Sequence, residues 1–320
     1  MLILGHGDVL AALSPEDCAD AMAHVLAAHA RGEALMPLRS VVPFEGAAGF
    51  MGLMPAWRGG TDPVFGLKAL CVMPGNPARG LDSHQGTVTL FDGATGVPTA
   101  VLDASAVTSV RTAAVSAVAT RLLAREDARV LAILGAGVQG RAHLRALAPI
   151  REFAEVRVYA PSVGHARALA DGRAVVASSA EEAVRGADVV VLATSSRDPV
   201  VSREWFAPGA HINAVGASMP SARELDVETV AASVLFCDSR ESLRNEAGEY
   251  RLAVEQGAIA AGDDVAAELG EVLAGIAPGR RSQDQLTVFR SLGLAVEDLA
   301  AAERAVERAR ELGIGTEVAL

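Results

Sequence analysis

Residues 130–147 read VLAILGAGVQGRAHLRAL, an apolar run followed by spaced glycines and a helical pattern. Gly135 permits a tight turn, Gly137 lets the backbone approach a phosphate, and Gly140 lets the helix pack close to the strand. A helix that opens on such a turn presents unpaired N–H groups and a partial positive charge to an anion. In this strand–turn–helix context the glycines predict a dinucleotide site. The alternative is an ordinary glycine-rich turn between a strand and a helix.

Composition narrows the classes of protein to which the chain can belong. Its 320 residues suggest two domains, and 51% of them are hydrophobic. No apolar run reaches the roughly 18–20 residues of a membrane span, and the N-terminus does not resemble a signal peptide. The net charge of −11 argues against nucleic acid as a partner. The scattered Cys18, Cys71 and Cys237 predict reduced thiols in the cytoplasm, and the dispersed histidines predict no metal site.

The pattern of strands and helices changes along the chain. Residues 35–103 contain short β-rich runs at 64–72, 87–91 and 97–102, which predict a separate antiparallel unit. Residues 105–124 predict a helix that leads to the glycine loop. Beyond it strands and helices alternate, as in a parallel sheet covered on both faces, with strands expected at 130–134, 156–160, 174–177, 188–193, 210–215 and 233–237. The last helix, about 293–312, carries alternating charges that indicate a solvated face.

The residues after the second of these parallel strands bear on which dinucleotide binds. An NAD site usually has Asp or Glu there to bond the ribose hydroxyls. Here the chain reads VYAPS up to Ser162, without an acid, and His165 and Arg167 follow it as further candidates to contact a 2′-phosphate. We therefore expect NADP in preference to NAD, the alternative being that these are surface residues. Thr194 and Val215, at the ends of the fourth and fifth strands, are expected to border the cofactor.

Cations of the N-terminal half lie in unusually apolar runs. Arg39 follows Met-Pro-Leu, Lys68 lies within VFGLKALCV and is the one lysine among 28 basic residues, and Arg111 lies within AVTSVRTAAV. A buried cation needs an anion, or its pKa falls. Beside one cofactor, these cations predict a substrate that carries a carboxylate, the alternative being three unrelated internal ion pairs. His84 is a further candidate for the same site, although a structural histidine is the alternative there.

Several stretches together resemble the ornithine cyclodeaminase/mu-crystallin family along nearly the whole chain. They are residues 36–39, 65–68, 83–91, 111–120, 135–139, 210–218 and 287–298. The resemblance implies an α/β fold in which a Rossmann domain with a parallel sheet, residues 113–291, is inserted in a discontinuous domain. That β-rich α+β domain, residues 1–112 and 292–320, would bind substrate and form a homodimer.

The resemblance also implies roles for individual residues. Arg39, Lys68 and Arg111 would bind the substrate carboxylate, in agreement with the interpretation of their apolar surroundings. Glu246 falls where mu-crystallin-like members have an acid that faces the ligand. The positions at which the family binds NAD(P) correspond here to Arg111, Thr112, Gly135, Gly137, Val138, Gln139, Ser162, Thr194, Val215 and Ser291.

Ser218 bears on which of the family's reactions is expected. Ornithine cyclodeaminases have an Asp there and a Lys four residues on, where this chain has Ala222. A serine hydroxyl is a poor general base near neutral pH, and this stretch is similar to that of the mu-crystallin-like ketimine reductases. The resemblance therefore implies that NADPH reduces a cyclic ketimine carboxylate of the pyrroline-2-carboxylate or piperideine-2-carboxylate type, with Glu246 or His84 offsetting the nearby positive charge. The alternatives are ornithine cyclodeamination, alanine-type amino-acid dehydrogenation, and non-catalytic binding of NADPH with a small carboxylate.

Overall fold

The computed structural model describes residues 1–262 and 265–319, which divide into two compact units. Unit 1 is Met1–Arg111 together with the segment from Gly293 onward, and unit 2 is Thr112–Leu292. Unit 1 is therefore discontinuous in sequence, and the boundary at Arg111 falls inside one long helix.

The strands, in chain order, are β1 (Leu2–Leu4), β2 (Ala34–Leu35), β3 (Ser40–Pro43), β4 (Phe50–Arg58), β5 (Val64–Val72), β6 (His84–Asp92), β7 (Pro98–Asp103), β8 (Val130–Leu134), β9 (Glu155–Tyr159), β10 (Val175–Val176), β11 (Val189–Leu192), β12 (His211–Ala214), β13 (Val234–Cys237), β14 (Val265–Glu268), β15 (Thr287–Arg290) and β16 (Thr316–Glu317). The α-helices are α1 (His6–Ala12), α2 (Pro15–Ala30), α3 (Ala104–Leu123), α4 (Val138–Leu147), α5 (Val163–Ala170), α6 (Ala180–Val184), α7 (Val227–Ala232), α8 (Arg240–Glu246), α9 (Gly248–Glu255), α10 (Leu269–Leu273) and α11 (Ala295–Leu312). Among the described residues, no helix combines the length and apolar character that crossing a bilayer requires.

The sheet of unit 1 is mostly antiparallel, as expected from its β-rich runs. Its order is β16-β1-β7-β6-β5-β4-β2, and β3 also pairs with β4. Side chains alternate between the two faces, so Gly66, Lys68 and Leu70 of β5 share the buried face. Helix α11 packs on β4 and β5, and a Cβ on Gly66 would lie 2.8 Å from Leu299 Cδ1. The absence of a side chain at Gly66 therefore brings α11 close to the strand that carries Lys68.

Two charged residues of α11, Glu303 and Arg304, are partly buried, contrary to the expectation that this helix presents a solvated charged face. Glu303 accepts two hydrogen bonds from Arg58 of β4, at 3.0 Å from Nε and 2.7 Å from Nη2. Arg304 lies 2.6 Å from Asp17 of α2. The interpretation of these charges as a merely solvated face was wrong for Glu303 and Arg304, because α11 packs on the sheet and on α2 and its flanking side chains reach both neighbours.

The sheet of unit 2 is parallel throughout its described pairs and confirms the expected α/β class. Its order is β10-β9-β8-β11-β12-β15-β13-β14, so the direction of strand addition reverses between β8 and β11. β11 and β12 are buried at every residue, as their apolar sequences predict for a sheet covered on both faces. The six expected strands are present, with every end within one residue of its expected position. The sequence interpretation missed β14 and β15, and β15 inserts between β12 and β13 although it follows both in the chain.

Candidate functional site

Lys68 extends from the buried face of β5 to the start of α11. Its Nζ lies 2.6 Å from Asp298 Oδ2 and donates to Thr108 Oγ1 at 3.5 Å. The lysine is 3% exposed and the aspartate 1% exposed. The apolar run around Lys68 therefore predicted its burial correctly, and the anion that compensates its charge comes from the far end of the chain.

Arg111 of α3 joins the same network. Its Nε donates to Asp298 Oδ1 at 3.0 Å, and its Nη1 donates to Glu297 Oε2 at 2.9 Å. Asp298 therefore bridges Lys68 and Arg111 with its two oxygens, so these two cations are in internal ion pairs, as the alternative held, but the pairs share one carboxylate. Glu297 also accepts the backbone N–H of Leu294 at 3.1 Å and so caps α11. The partial positive charge at the start of a helix favours carboxylates in this position.

Gly293, just before α11, completes the network with Arg39. Arg39 Nη2 donates to the Gly293 carbonyl at 2.7 Å. Gly293 has a φ of +78°, and a Cβ there would lie 2.5 Å from Arg111 Nη1. Both its conformation and its close approach to Arg111 therefore require glycine. We call Arg39, Lys68, Arg111, Glu297 and Asp298 the cation network.

The pKa values show how the charges of the network balance. Burial, the largest effect, lowers the pKa of Lys68 to about 8, with Arg111 and Arg39 also lowering it and Asp298 raising it. Burial raises the pKa of Asp298, but attraction to Lys68 and Arg111 outweighs burial and leaves that pKa below its usual value. Asp298 is thus ionised but does not restore the ordinary pKa of Lys68. A further anion beside Lys68 would stabilise its charged form.

His84 is the first residue of β6 and lies within electrostatic reach of the network. Its ring is hydrogen-bonded through Nδ1 to Ser83 Oγ at 3.0 Å, and Ser105 donates to its carbonyl. Although the residue keeps an exposed edge, desolvation by the surrounding chain and then the charge of Lys68 lower its pKa. The ring is therefore neutral near pH 7 and supplies no negative charge to offset the cations.

The glycine loop of unit 2 fits a dinucleotide pyrophosphate. A Cβ on Gly135 would lie 2.2 Å from the Ala193 carbonyl oxygen, and one on Gly140 would lie 1.9 Å from the Gly135 carbonyl oxygen. These two glycines are thus required by the packing of the chain itself. Gly137, the N-cap of α4, is different, because no described atom lies within 4 Å of the position its Cβ would take. It leaves an open cradle at a helix N-terminus, of the kind that accepts a phosphate.

The other residues expected to bind the cofactor are distributed at the carboxyl ends of strands. Val138 and Gln139 open α4, Thr194 follows β11, Val215 follows β12, and Ser291 follows β15. Ser162 follows β9, and its Oγ accepts from the backbone N–H of His165 at 3.3 Å, which caps α5. The carboxyl edge of a parallel sheet is where ligands bind in such folds.

Three further candidate residues differ in their exposure. Thr112 is buried in α3, Ser218 is exposed in the loop after β12, and Glu246 is half-buried at the end of α8.

Glu297, Asp298 and Gly293 are the residues that the sequence interpretation missed. Two adjacent acids in the apolar stretch LGLAVEDLAAA were the available signal, because buried acids need cationic partners as much as buried cations need acids. Their partners could not be named from the sequence, since β5 and α3 are distant from α11 along the chain.

Comparison with known proteins identifies the family of the chain. The model of the ornithine cyclodeaminase/mu-crystallin family matches residues 2–313. The chain belongs to this family. The ketimine reductase mu-crystallin of Mus musculus is 43% identical over 275 residues, which are 85% of this chain and 84% of that relative.

Two solved structures superpose on nearly the whole chain. The Delta(1)-pyrroline-2-carboxylate reductase of Thermococcus litoralis, in complex with NADH and L-proline, has a TM-score of 0.94 and 35% identity, and the match covers 99% of this chain and 100% of that one. An archaeal alanine dehydrogenase dimer with bound NAD has a TM-score of 0.93 and 36% identity, with 100% and 99% covered. The expected family and fold class are confirmed.

The pKa of Lys68 is directly measurable because the chain has a single lysine. Protein labelled with ¹³Cε-lysine is expected to give one lysine signal that titrates with a midpoint near pH 8, since burial and two arginines disfavour the ammonium form. In an Asp298→Asn variant the midpoint should fall further, because the carboxylate that raises the pKa is gone. A wild-type midpoint at the ordinary value of about 10.4 would contradict the burial and the neighbours described for Lys68.

Proposed function

We propose that the protein reduces a cyclic ketimine carboxylate to the cyclic amino acid, with NAD(P)H as the hydride donor. The observation that carries the proposal is the cation network, in which Lys68 is buried among cations and gains from an additional carboxylate. The sequence relative that is a ketimine reductase and the structural neighbour that is a pyrroline-2-carboxylate reductase support the same reaction class.

The substrate carboxylate is bound by Arg39, Lys68 and Arg111. Arginine supplies paired N–H donors in a planar fork, and lysine supplies a compact charge. Asp298 and Glu297 hold Lys68 and Arg111 in place through contacts of 2.6–3.0 Å. Because these side chains are already ordered, binding loses little of their conformational freedom and the carboxylate is oriented for reaction.

The imine must carry a positive charge to accept hydride readily, and the cation network opposes that charge. Asp298 and Glu297 reduce the opposition because they neutralise part of the network. His84 is neutral near pH 7 and adds no charge to it. We propose that Glu246 is the acid that faces the ligand, as the family resemblance implies.

Unit 2 holds the dinucleotide. The pyrophosphate is proposed to bind the backbone N–H groups at Gly137, Val138 and Gln139, in the open cradle at the start of α4. The bound NAD(P)H supplies the hydride. The further proposed contacts are Arg111, Thr112, Gly135, Ser162, Thr194, Val215 and Ser291.

We propose NADP as the preferred coenzyme. The stretch after β9 reads Ala-Pro-Ser-Val-Gly-His, which has no acid to bond the ribose hydroxyls or to repel a 2′-phosphate. Ser162 and His165 are exposed at the start of α5, where the helix also favours an anion.

A second candidate is the oxidation of an amino acid such as alanine, which the similarity to an archaeal alanine dehydrogenase favours. Cyclodeamination is less favoured because Ser218, exposed after β12, has a hydroxyl that is a poor base. The reduction of imines is thus the function that the residues support best.

A panel of substrates tests the proposed function. Pyrroline-2-carboxylate and piperideine-2-carboxylate are expected to oxidise NADPH, with a kcat/KM at least tenfold above that with NADH. Ammonia released from ornithine, or NAD⁺ reduced by alanine in the absence of any imine turnover, would overturn the proposal. NADPH binding without turnover of any of these compounds would instead indicate a binding protein.

Replacing Lys68 tests the carboxylate site. The Lys68→Met variant is expected to lose about 100-fold in kcat/KM, equivalent to about 2.7 kcal/mol, with an unchanged Kd for NADPH. Lysine is charged below its pKa, so wild-type kcat/KM should fall as the pH rises through about 8, and the variant should lack that decline. The matched control is Arg58→Met, which removes another cation paired with α11 and should retain wild-type kcat/KM. Near-normal activity of Lys68→Met would refute the assignment.

We propose that unit 1 forms a homodimer. Large apolar side chains remain exposed on the strands of its sheet, among them Met51 at 36% and Phe65 at 46%, on the face opposite the one that packs on α11. Exposed apolar patches of this kind mark protein interfaces. Light scattering should give twice the chain mass of 32.9 kDa, whereas a monomer mass at micromolar concentration would contradict the proposal.

A further inference from the structure

Glu224 is a fully buried carboxylate of unit 2 that the proposed reaction does not use. It lies in the chain between β12 and α7, at the carboxyl edge of the parallel sheet. Its Oε1 accepts the backbone N–H of Thr194 at 2.6 Å and the Thr194 hydroxyl at 2.8 Å. Its Oε2 accepts the backbone N–H of Gly216 at 2.6 Å. One carboxylate therefore satisfies donors from two separate loops.

These two loops leave the neighbouring strands β11 and β12, and β11 is one of the two strands between which the strand order reverses. Thr194 follows β11, and Gly216 follows β12. A Cβ on Gly216 would lie 2.0 Å from the Thr194 carbonyl oxygen and 2.5 Å from Glu224 Oε1, so the loops are in close contact. The end of β11 also abuts Gly135 of the glycine loop. Glu224 thus ties together the edge at which open parallel sheets bind their ligands.

The bonds of Glu224 depend on its ionisation. Burial leaves the pKa of Glu224 above its ordinary value, although the bonds from Thr194 and Gly216 and the charge of Arg290 lower it in part. A protonated carboxyl would turn an O–H toward one of three donors and lose that bond. Arg290 is held in place because it donates to the Ala214 carbonyl at 2.9 Å and lies 2.6 Å from Glu249. The charge of the buried arginine therefore offsets part of the cost of burying the ionised form of Glu224.

We propose that Glu224 is a positioning residue for the dinucleotide, an inference that rests on the proposed function. It holds the main chain at Thr194 and Gly216 in the conformation that borders the cofactor. Without it, the two amide N–H groups would need other acceptors, and the loops would rearrange to find them.

Asp188 provides a matched control at the opposite edge of the same sheet. It precedes β11 and accepts the backbone N–H groups of Arg129 at 2.8 Å and Val130 at 2.9 Å. Asp188 thus makes the same kind of carboxylate–amide contact between strands, but at their amino ends. The variants Glu224→Gln and Asp188→Asn each replace one acceptor oxygen by an amide that donates.

The test is the Kd for NADPH and NADH, from fluorescence titration of protein without substrate, together with thermal unfolding of the ligand-free variants. Glu224→Gln is expected to raise the Kd at least tenfold while unfolding cooperatively, and Asp188→Asn is expected to leave it within twofold of wild type. For Glu224→Gln the KM for the imine at saturating NADPH should stay within about twofold. These readouts separate loss of cofactor positioning from loss of stability.

The outcomes are distinguishable. If wild-type protein does not bind NAD(P)H, the proposed function fails and this inference falls with it. If wild type binds but Glu224→Gln binds equally well, or Asp188→Asn loses as much affinity, the inference alone is overturned.

If Glu224→Gln does not fold, two other experiments replace it: the Kd of Glu224→Asp, and amide hydrogen exchange in the wild-type protein. A shortened side chain that leaves the Kd unchanged, or rapid exchange at Thr194 and Gly216, would contradict the role of Glu224.

Discussion

The two oxygens of Asp298 separate and hold two buried cations, and the proposed substrate site of unit 1 depends on this contact. Taking charges out of water costs several kcal/mol for each ion, and an unpaired buried charge is strongly destabilising. Asp298 meets Lys68 at 2.6 Å and Arg111 at 3.0 Å, and it stands at the start of α11, where the helix favours a negative charge. Lys68 and Arg111 are therefore held in fixed positions in an apolar setting, as the proposed binding of a carboxylate requires.

The two units differ in the groups that they offer to a ligand and in the glycines that position those groups. Unit 1 keeps cations buried and compensated, and it relies on Gly66 and Gly293 to let α11 and Arg111 approach closely. Unit 2 keeps donors available at the start of α4, and it relies on Gly137 to leave the space open. Elsewhere at the same edge of unit 2, Glu224 satisfies the donors of Thr194 and Gly216. The same sheet edge thus contains amides that are open to a ligand and amides that are internally bonded.

Local patterns in the sequence predicted most of the parts of the fold. The glycine loop and the buried runs of β8, β11 and β12 are determined by neighbouring residues, and the ends of these strands were predicted within one residue. β15 was missed because its sequence, TVFR, contains only two apolar residues, and its place between β12 and β13 is a tertiary property. For the site, the apolar runs predicted the burial of Lys68 and Arg111. Asp298 and Glu297 were missed because only the packing of α11 on the sheet brings them to those cations.

The most direct test of the central claim is the response of Lys68 to a carboxylate. The ¹³Cε-lysine signal would be titrated with pH in the presence of saturating pyrrole-2-carboxylate, a planar analogue that cannot be reduced, and again with pyrrole-2-carboxamide. The account predicts that the carboxylate raises the Lys68 midpoint well above its starting value near pH 8, because an added anion stabilises the ammonium form, and that the carboxamide does not. An unchanged midpoint with bound carboxylate would show that the cation network is purely structural and would contradict the account.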